Sequence, residues 1–504
     1  MLQDLLAGHP VAETQRGWPR VNVDAATWQA IGTQLHAGRL DLLAEWGDEG
    51  AVHCALYEPE SRCVRLASIA VEAGQVPSLA QFHRPALRLE RALADLYGHE
   101  LAGLPDRRPW LDHGTWPLVA PLAAASGVRE SAAPAYRFLD AEGPGLHQIP
   151  VGPVHAGIIE PGHFRFTVCG ETVVRLEQRL GYVHRGIERL LRGSGIEAGA
   201  RLIARVSGDS TVACSYAFAR AVELALGCNP PPRAQWLRAV MAELERIANH
   251  LGDIGAICND ASFSMMHAEC GILREETLRA AATAFGHRLM MDTVVPGGTA
   301  VDLGDGGRQA IQALLQRLRR QFPELIELYA NTDSLQDRVV GTGVTAPALV
   351  AEFAPGGFIG RAAGRAFDAR EALAYAPYDV LPVRVALRQA GDVDARVGIR
   401  IDEVRNSIDW LGAALRQLPD GPHRLPLAPP AMDRVEATAM VEGFRGDLLV
   451  HVRLDRALRI ERCHLRDPSW FQWPLLEAAI EGNIVADFPL CNKSFNCSYS
   501  GHDL

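Results

Sequence analysis

The sequence predicts an α+β fold, with a small mixed α/β region at the amino terminus and a larger, mainly α-helical region with peripheral β structure. Apolar and polar residues alternate over residues 51–57 and 63–69, which is typical of half-buried strands. A helical run follows over residues 85–96. Much later, apolar residues recur every three or four positions over residues 236–258, and this spacing predicts a long core helix.

A stretch rich in Pro, Gly, Ala and Ser separates the two regions. The periodicity fades over residues 121–150, as expected of a linker. We therefore predict one domain over residues 1–120 and a second over residues 151–504. A chain of 504 residues is long enough to bury a sizeable core in each of them.

The composition and the charge of the chain exclude several classes of protein. A net charge of −10 argues against non-specific binding to nucleic acid. The amino terminus lacks a basic start followed by an apolar run, and no segment reaches the roughly 18 uninterrupted apolar residues of a membrane-spanning helix. We expect a chain that is soluble by itself and that reaches a membrane only through partner subunits.

The ten cysteines are scattered along the chain. No two of them are separated by only two or three positions, which is the spacing typical of zinc and iron–sulfur ligands. We expect reduced, mostly packed thiols in a cytosolic protein, and no iron–sulfur cluster in this chain.

The stretch from Arg205 to Glu223 organises the rest of the chain. Its small residues and its apolar spacing predict a buried helix that is entered through a tight Gly-Asp-Ser turn. Ser207 or Ser210 is expected to cap this helix, and the helix is expected to end near Gly227.

This stretch resembles the first metal-binding motif in the large subunit of membrane-bound, energy-converting NiFe-hydrogenases, Arg-Val-Cys-Gly-x-Cys followed four residues later by His. In that frame the two cysteines fall on Ser207 and Ser210, and the histidine falls on Cys214. The second motif, Asp-Pro-Cys-x-x-Cys, falls at the carboxyl end, where its cysteines become Ser498 and Gly501. The resemblance therefore implies the positions of a metal site without its ligands.

The chemistry of the replaced ligands predicts that no nickel–iron centre forms. Such a soft centre needs thiolates, whereas a serine hydroxyl stays protonated in water and is a harder, weaker donor. We therefore expect no metal bound by this chain. Cys214 and Cys497 remain as an alternative pair across the old site, but two thiols without a third ligand make a poor metal site.

Other stretches resemble subunits of respiratory complex I. Residues 89–98, together with residues 105–108, are similar to the signature of the 30-kDa-type subunit, which implies a docking domain at the amino terminus. A Gly-Pro-x-His element at residues 152–155 and a His-Arg-Gly-x-Glu element at residues 184–188 resemble the large subunit shared by group 4 hydrogenases and complex I. In that family both elements lie close to the reaction cavity.

The same resemblance implies a candidate site for a proton or a quinone, formed by His155, His163 and Asp260. In complex I an aspartate partners a histidine of the quinone site. The spacing from His250 to Asp260 matches the complex I large subunit. A histidine and a carboxylate together can hold or release protons near neutral pH.

Over most of its length the chain resembles a fusion of the 30-kDa-type and 49-kDa-type subunits, nearest to hydrogenase-4 or formate hydrogenlyase complexes. This implies a subunit of a membrane-associated, NADH:quinone oxidoreductase-like complex that couples electron transfer to ion translocation. The implied partners are a small iron–sulfur subunit, which holds the cluster, and antiporter-like membrane subunits. The chain itself would bind no cofactor other than a quinone, and it would lie on the cytoplasmic face of the cell membrane.

Two alternatives remain at this point. The chain could be a non-catalytic coupling or assembly subunit of such a complex. It could also be a true NiFe-hydrogenase large subunit, although the serines at the ligand positions argue against this.

Overall fold

The computed structural model describes residues 1–130, 135–155 and 159–504, and it confirms the α+β class. The strands are β1 Gln15–Gly17, β2 Arg20–Val23, β3 Asp41–Gly47, β4 Ala51–Glu58, β5 Cys63–Ala70, β6 Gln75–Pro77, β7 Glu100–Ala102, β8 Leu118–Val119, β9 Gly127–Val128, β10 Leu146–Val151, β11 His163–Cys169, β12 Thr172–Arg179, β13 Val294–Val295, β14 Gly298–Thr299, β15 Arg434–Glu442, β16 Asp447–Asp455 and β17 Ile460–Arg466.

The helices account for most of the second half of the chain. They are α1 Leu2–Leu5, α2 Ala25–His36, α3 Leu87–Tyr97, α4 Ile187–Leu191, α5 Ile196–Ile203, α6 Thr211–Leu226, α7 Pro232–Asp260, α8 Ser264–Phe285, α9 Asp305–Ala330, α10 Asp333–Val339, α11 Pro347–Phe353, α12 Gly357–Ala362, α13 Ala369–Ala372, α14 Val393–Gln417, α15 Ser469–Ala479, α16 Phe488–Phe495 and α17 Tyr499–Asp503.

The amino-terminal region contains a four-stranded sheet in the order β2-β5-β4-β3. Strand β2 runs parallel to β5, and the other two pairs are antiparallel. The predicted alternation at residues 51–57 and 63–69 corresponds to β4 and β5, and the predicted helix corresponds to α3. Helix α3 ends at Gly98, which adopts the left-handed conformation that most side chains avoid.

A second four-stranded sheet joins the two ends of the chain. Its order is β1-β15-β16-β17, and β1 pairs in parallel with β15 so that Gln15 faces Glu436. The two regions also share one apolar core, in which Trp28 and Leu56 belong to the same cluster as Phe166 and Trp473. The amino-terminal region is therefore packed into the rest of the molecule.

The predicted linker contains β structure at both of its ends. Strand β9 pairs with β8, and β10 pairs with β11 as the edge of a three-stranded sheet. Pro150 lies within β10, and an edge strand tolerates a proline because its unpaired side needs no N–H donor. Residues 131–134 of the predicted linker lie outside the described residues.

The mainly helical region is built on α6, α7, α8, α9 and α14. Helix α7 contains the predicted core helix over residues 236–258, and 22 of its 29 residues are buried. Helix α7 is buried on nearly all sides because it packs against α8, α14 and α16. Across the described residues, no helix is long and apolar enough to cross a lipid bilayer.

The turn that enters α6 has the predicted form, but its predicted cap is wrong. Residues 208–210 form a single 3-10 turn, and α6 ends at Gly227, as expected. Neither Ser207 nor Ser210 caps the helix with its side chain. Instead, the Glu245 carboxylate on α7 accepts hydrogen bonds from the backbone N–H groups of Val212 (2.7 Å) and Ala213 (3.1 Å).

Replacement of Glu245 by alanine should lower the free energy of unfolding by about 1–3 kcal/mol, because two buried N–H donors of α6 lose their acceptor. Urea denaturation followed by circular dichroism measures this change. Glu269→Ala on the exposed side of α8 is the matched control and should change the free energy by less than about 0.5 kcal/mol. Equal effects of the two substitutions would contradict the capping role.

Candidate functional site

The structure brings together the four positions at which the hydrogenase motifs carry cysteine. The hydroxyl oxygens of Ser207 and Ser498 lie 3.4 Å apart, although 291 residues separate them in the chain. The Ser498 hydroxyl accepts a hydrogen bond from the backbone N–H of Gly501 (2.9 Å). Ser210 lies at the other end of the 3-10 turn that begins after Ser207.

Backbone and side-chain contacts hold the carboxyl-terminal half of the site in place. Ser498 caps α17 through its hydroxyl, and its backbone N–H donates to the Ser469 hydroxyl at 2.8 Å. The Trp473 indole donates to the Ser498 carbonyl at 3.2 Å. Asn496 makes the turn before α17 in the left-handed conformation, which asparagine tolerates better than most residues.

An ion pair lies among the four positions. The Arg445 guanidinium donates to both carboxylate oxygens of Asp209, at 2.8 and 2.6 Å. Its Nη1 also donates to the Ser210 hydroxyl at 3.0 Å. The Ser207 hydroxyl donates to Asp209 at 2.6 Å. Arg445 lies in the tight turn between β15 and β16, and its Nε donates to the Asn496 carbonyl at 2.6 Å.

The electrostatics of the pair favour the charged forms. Burial alone would raise the pKa of Asp209, but the Arg445 guanidinium and the hydrogen bonds from Ser207 and Ser210 lower the pKa to about 2. Asp209 is therefore a carboxylate at every physiological pH. A bidentate ion pair between an arginine and a carboxylate fixes the relative orientation of the two side chains as well as their charges.

The residues present do not fit a nickel–iron centre. Three of the four ligand positions carry hydroxyls, and the fourth carries no side chain. A Cβ atom added at Gly501 would lie 2.5 Å from a carboxylate oxygen of Asp467, so that carboxylate occupies the space where a ligand side chain would begin.

The two nearby thiols are also poor metal ligands. Burial raises the pKa of Cys214 well above its usual range, and the carboxylates of Asp467, Glu245 and Asp209 add to this increase. Burial likewise raises the pKa of Cys497. Among the described residues, no third histidine, cysteine or carboxylate joins them in a group that could hold a metal ion.

Hydrogen bonds extend from this site into the helical core. The Asn496 amide donates to Asp253 on α7 at 2.8 Å, and the second oxygen of Asp253 accepts from Arg400 on α14 at 2.9 Å. Arg400 also donates to the Ser494 carbonyl on α16 at 2.8 Å. The turn that carries Ser207 is thus connected to α14 through a continuous series of polar contacts.

A cluster of buried charges lies behind this series, and all of its side chains are at most 4% exposed. Arg361 binds Glu403 at 2.7 Å and Glu442 at 2.8 Å, and the His250 ring donates to Glu403 at 2.8 Å. The other members are Glu243, Arg246, Asp368 and Arg370. Burial, reinforced by the Asp368 carboxylate, raises the pKa of Glu442 to about 7.

His163, Asp260 and His155 lie in different surroundings. The buried His163 donates from Nδ1 to the Gly152 carbonyl at 2.9 Å and accepts from Arg165 at 3.3 Å, and burial lowers its pKa. Asp260 is half-buried at the end of α7, and His155 is exposed. Among the described residues, no hydrogen bond or ion pair joins His163 to Asp260.

The roles of Asp209 and Arg445 were not predicted from the sequence. Asp209 is the variable position inside the first motif, and Arg445 lies outside every motif described above. An acidic residue between two lost ligand positions was the signal available. The distance between the two in the chain, 236 residues, hid their pairing.

The His-Arg-Gly element contacts the carboxyl end of the chain. The backbone N–H groups of Arg185 and Gly186 donate to the Leu504 carbonyl at 2.7 and 3.1 Å, and His184 donates to the Asp503 carbonyl at 2.7 Å. This element therefore lies beside the helix that carries Gly501.

Comparisons with known proteins agree with the predicted family. The profile described as "Respiratory-chain NADH dehydrogenase, 49 Kd subunit" matches residues 260–435 and 425–503. Formate hydrogenlyase subunit 5 of Escherichia coli (strain K12) is 31% identical over all of this chain and 94% of its own length. Hydrogenase-4 component G of the same organism is 31% identical over 90% of this chain and 80% of its own length.

A solved structure follows the same pattern. A chain of the membrane-bound sulfane sulfur reductase, an archaeal respiratory membrane complex, superposes with a TM-score of 0.66 at 24% identity. That superposition covers 71% of this chain and 99% of the other, and it shows a shared fold.

The predicted relationship is thus confirmed by full-length similarity as well as by fold. The chain belongs to the family that unites the large subunits of membrane-bound hydrogenases with the 49-kDa-type subunit of respiratory NADH dehydrogenases.

Proposed function

We propose that this chain is a metal-free subunit of a membrane-bound oxidoreductase complex of the hydrogenase-4 and complex I type. One observation carries the proposal: Ser207, Ser210, Ser498 and Gly501 converge on an ion pair between Asp209 and Arg445. The pair and the Asp467 carboxylate fill the region where relatives named as hydrogenases would need four thiolates.

Within such a complex the chain would couple electron delivery to movement of charge. A small iron–sulfur subunit would hold the cluster that delivers electrons, and antiporter-like membrane subunits would move the ion. The series from Arg445 through Asn496 and Asp253 to Arg400 offers a route by which a charge at the site acts on α14. The chain would lie on the cytoplasmic face of the membrane, held there by these partners.

A quinone bound by His155, His163 and Asp260 is the second and more specific proposal. Burial raises the pKa of Asp260, while the Lys493 and His267 charges oppose this increase. A carboxyl with a raised pKa is suited to take up and release a proton. A purely structural coupling role without turnover at these residues is the alternative.

Nickel analysis tests the absence of a metal centre. The complex, purified from its own membrane through a tag on this chain, should contain far less than one nickel per chain and should not evolve hydrogen from reduced methyl viologen. The reason is that serine hydroxyls are hard, weak donors for a soft metal. The formate hydrogenlyase complex of Escherichia coli, purified in the same way, is the positive control. One nickel per chain, measured by mass spectrometry, would contradict the proposal.

Replacement of Asp209 by asparagine tests the ion pair. Its side chain is 37% exposed, so solvent screens part of the attraction, and we expect a loss of about 1 kcal/mol of stability at pH 7. Because the folded pKa of about 2 lies below the ordinary value of about 3.9, this stabilisation is complete above pH 4 and disappears as the pH falls through 2. Urea denaturation at pH 7 and pH 3 measures it.

Asp292→Asn is the matched control for this substitution. It breaks another pair between aspartate and arginine, in which Asp292 is also 37% exposed, but its partner Arg205 is 47% exposed, whereas Arg445 is only 5% exposed. The control should therefore cost less than about 0.5 kcal/mol. Equal losses of stability in the two variants at pH 7 would show that the Asp209–Arg445 pair stabilises the fold no more than an exposed ion pair.

Replacement of Asp260 by asparagine separates a proton role from a structural one. If Asp260 transfers protons, electron transfer from reduced methyl viologen to a short-chain quinone in membrane vesicles should slow at least about tenfold. Asp305→Asn, at the exposed start of α9, should leave the rate unchanged. Unchanged turnover by an assembled complex with Asp260→Asn would leave the structural role as the better account.

A further inference from the structure

A layer of four rings lies where the amino-terminal sheet meets the sheet of β1, β15, β16 and β17. Trp46 on β3 and His53 on β4 are register partners in the first sheet. His451 on β16 and His464 on β17 are register partners in the second sheet. The Trp46 ring lies 5.1 Å from the ring of His451 and 5.5 Å from that of His464, between centroids. The two pairs therefore face each other, and we call these four residues the ring layer.

The ring layer is closed to solvent, since its residues are between 1% and 9% exposed. One nitrogen of each imidazole is hydrogen-bonded: Nδ1 of His53 with the Ser68 hydroxyl at 2.7 Å, Nδ1 of His451 with the Thr438 hydroxyl at 3.0 Å, and Nδ1 of His464 with the Glu188 carboxylate at 2.7 Å. Because water does not reach the rings, the protein itself would have to compensate any charge placed on them.

The carboxylates beside the histidines are already paired with arginines. The distances from these carboxylates to the rings are 3.9 Å for Asp48 and His53, 3.6 Å for Glu436 and His451, and 2.7 Å for Glu188 and His464. The arginine partners, in the same order, are Arg453, Arg20 and Arg462. Each negative charge is thus compensated while the imidazoles are neutral, and a proton on any ring would add a net positive charge to a buried layer.

The remaining charged groups around the layer leave this balance unchanged. Arg453 also contacts Glu461 at 3.3 Å, but Glu461 has its own partner in Arg434 at 2.8 Å. Arg466 on β17 is paired with Asp447. On the side of α3, the charged neighbour of Glu45 is Glu90, the Tyr97 ring lies 5.7 Å from the Arg462 guanidinium, and the His99 ring is hydrogen-bonded to the Asp48 carbonyl at 2.8 Å.

The sign of the pH dependence follows from burial. An imidazole with its ordinary pKa of about 6.5 is mostly neutral at pH 7.5. Burial lowers the pKa of His53, His451 and His464 below that value. The closed layer is therefore fully stable above about pH 6.5 and loses stability as the pH falls below it, because rings that reach water take up protons more readily.

Side chains, not a backbone ladder, connect the facing edges of the two sheets. Strands β3 and β17 are the edge strands, and no ladder joins them among the described residues. Instead, Nε of Arg462 donates to the Gly47 carbonyl at 3.2 Å, and Nε of Arg466 donates to the Leu43 carbonyl at 2.7 Å. Such contacts can separate while the hydrogen bonds within each sheet stay intact.

We propose that the ring layer is an acid-sensitive junction, in which protonation of His53, His451 and His464 separates the amino-terminal sheet from β16 and β17. The proposal does not depend on the function proposed above, since the layer contains none of the residues of that site. Glu188 belongs to the His-Arg-Gly-x-Glu element and pairs with His464, so opening would also reach the element beside the carboxyl end.

Hydroxyl-radical footprinting with mass spectrometry measures the opening at Trp46. In the full-length chain, oxidation of Trp46 should rise at least about tenfold from pH 7.5 to pH 5, because each histidine that gains its proton only in the open state favours that state by up to about thirtyfold over this range. Trp28, buried on α2 of the same region, is the internal control and should change little. No rise at Trp46, or an equal rise at Trp28, would overturn the proposal.

Glutamine substitutions assign the effect to the three histidines, since glutamine keeps hydrogen-bonding groups but takes up no proton. The variant that combines His53→Gln, His451→Gln and His464→Gln should show no rise at Trp46, and each single substitution should reduce the rise at least about twofold. His83→Gln is the matched control, because it removes a buried histidine of the same region outside the layer and should leave the rise unchanged.

Circular dichroism at pH 7.5 verifies that the variants fold, and the single variants decide if the triple variant does not. A rise of the original size in folded variants that lack these imidazoles would overturn the proposal.

Discussion

Buried charges that must be paired are the constraint on which the rest of this structure depends. Arg246, Arg361 and Arg370 lie in the core with four carboxyl groups, those of Glu243, Asp368, Glu403 and Glu442. Loss of one partner from such a cluster costs about 3–5 kcal/mol, because the other charge is left buried and unpaired. The cluster therefore fixes α7, α12, α14 and the β15–β16 hairpin relative to one another. Burial and the Asp368 carboxylate raise the pKa of Glu442, which pairs with Arg361.

The same constraint shapes the candidate site. Strand β15 ends at Glu442, and the turn after it places Arg445 opposite the turn that carries Asp209. A guanidinium buried there needs a carboxylate, and Asp209 supplies it with both oxygens. The serine hydroxyls then serve the carboxylate: Ser207 and Ser210 both donate to Asp209. Residues at the ligand positions thus donate hydrogen bonds to an ion pair. These contacts hold the site together without thiolates.

The two halves of the chain are joined by backbone pairing as well as by apolar packing. Strand β1 adds to the sheet formed by β15, β16 and β17, so the first residues of the chain complete a sheet made near its end. A cavity of about 390 Å³ lies at the same junction, between α3 and the carboxyl end. Packing at such a junction must bring together side chains from distant parts of the sequence.

The sequence by itself determined the class of the fold, its long core helix, the strands at residues 51–57 and 63–69, and the family, because periodicity and motif spacing are local properties of the chain. It also determined that the ligand cysteines are absent from Ser207, Ser210, Ser498 and Gly501. Only the tertiary structure decided that Glu245 caps α6, that Asp209 pairs with Arg445, and that His163 and Asp260 have different neighbours. Each of these depends on groups far apart in the chain, whose pairing is set by the packing of helices and by the cost of leaving a buried charge or donor unpaired.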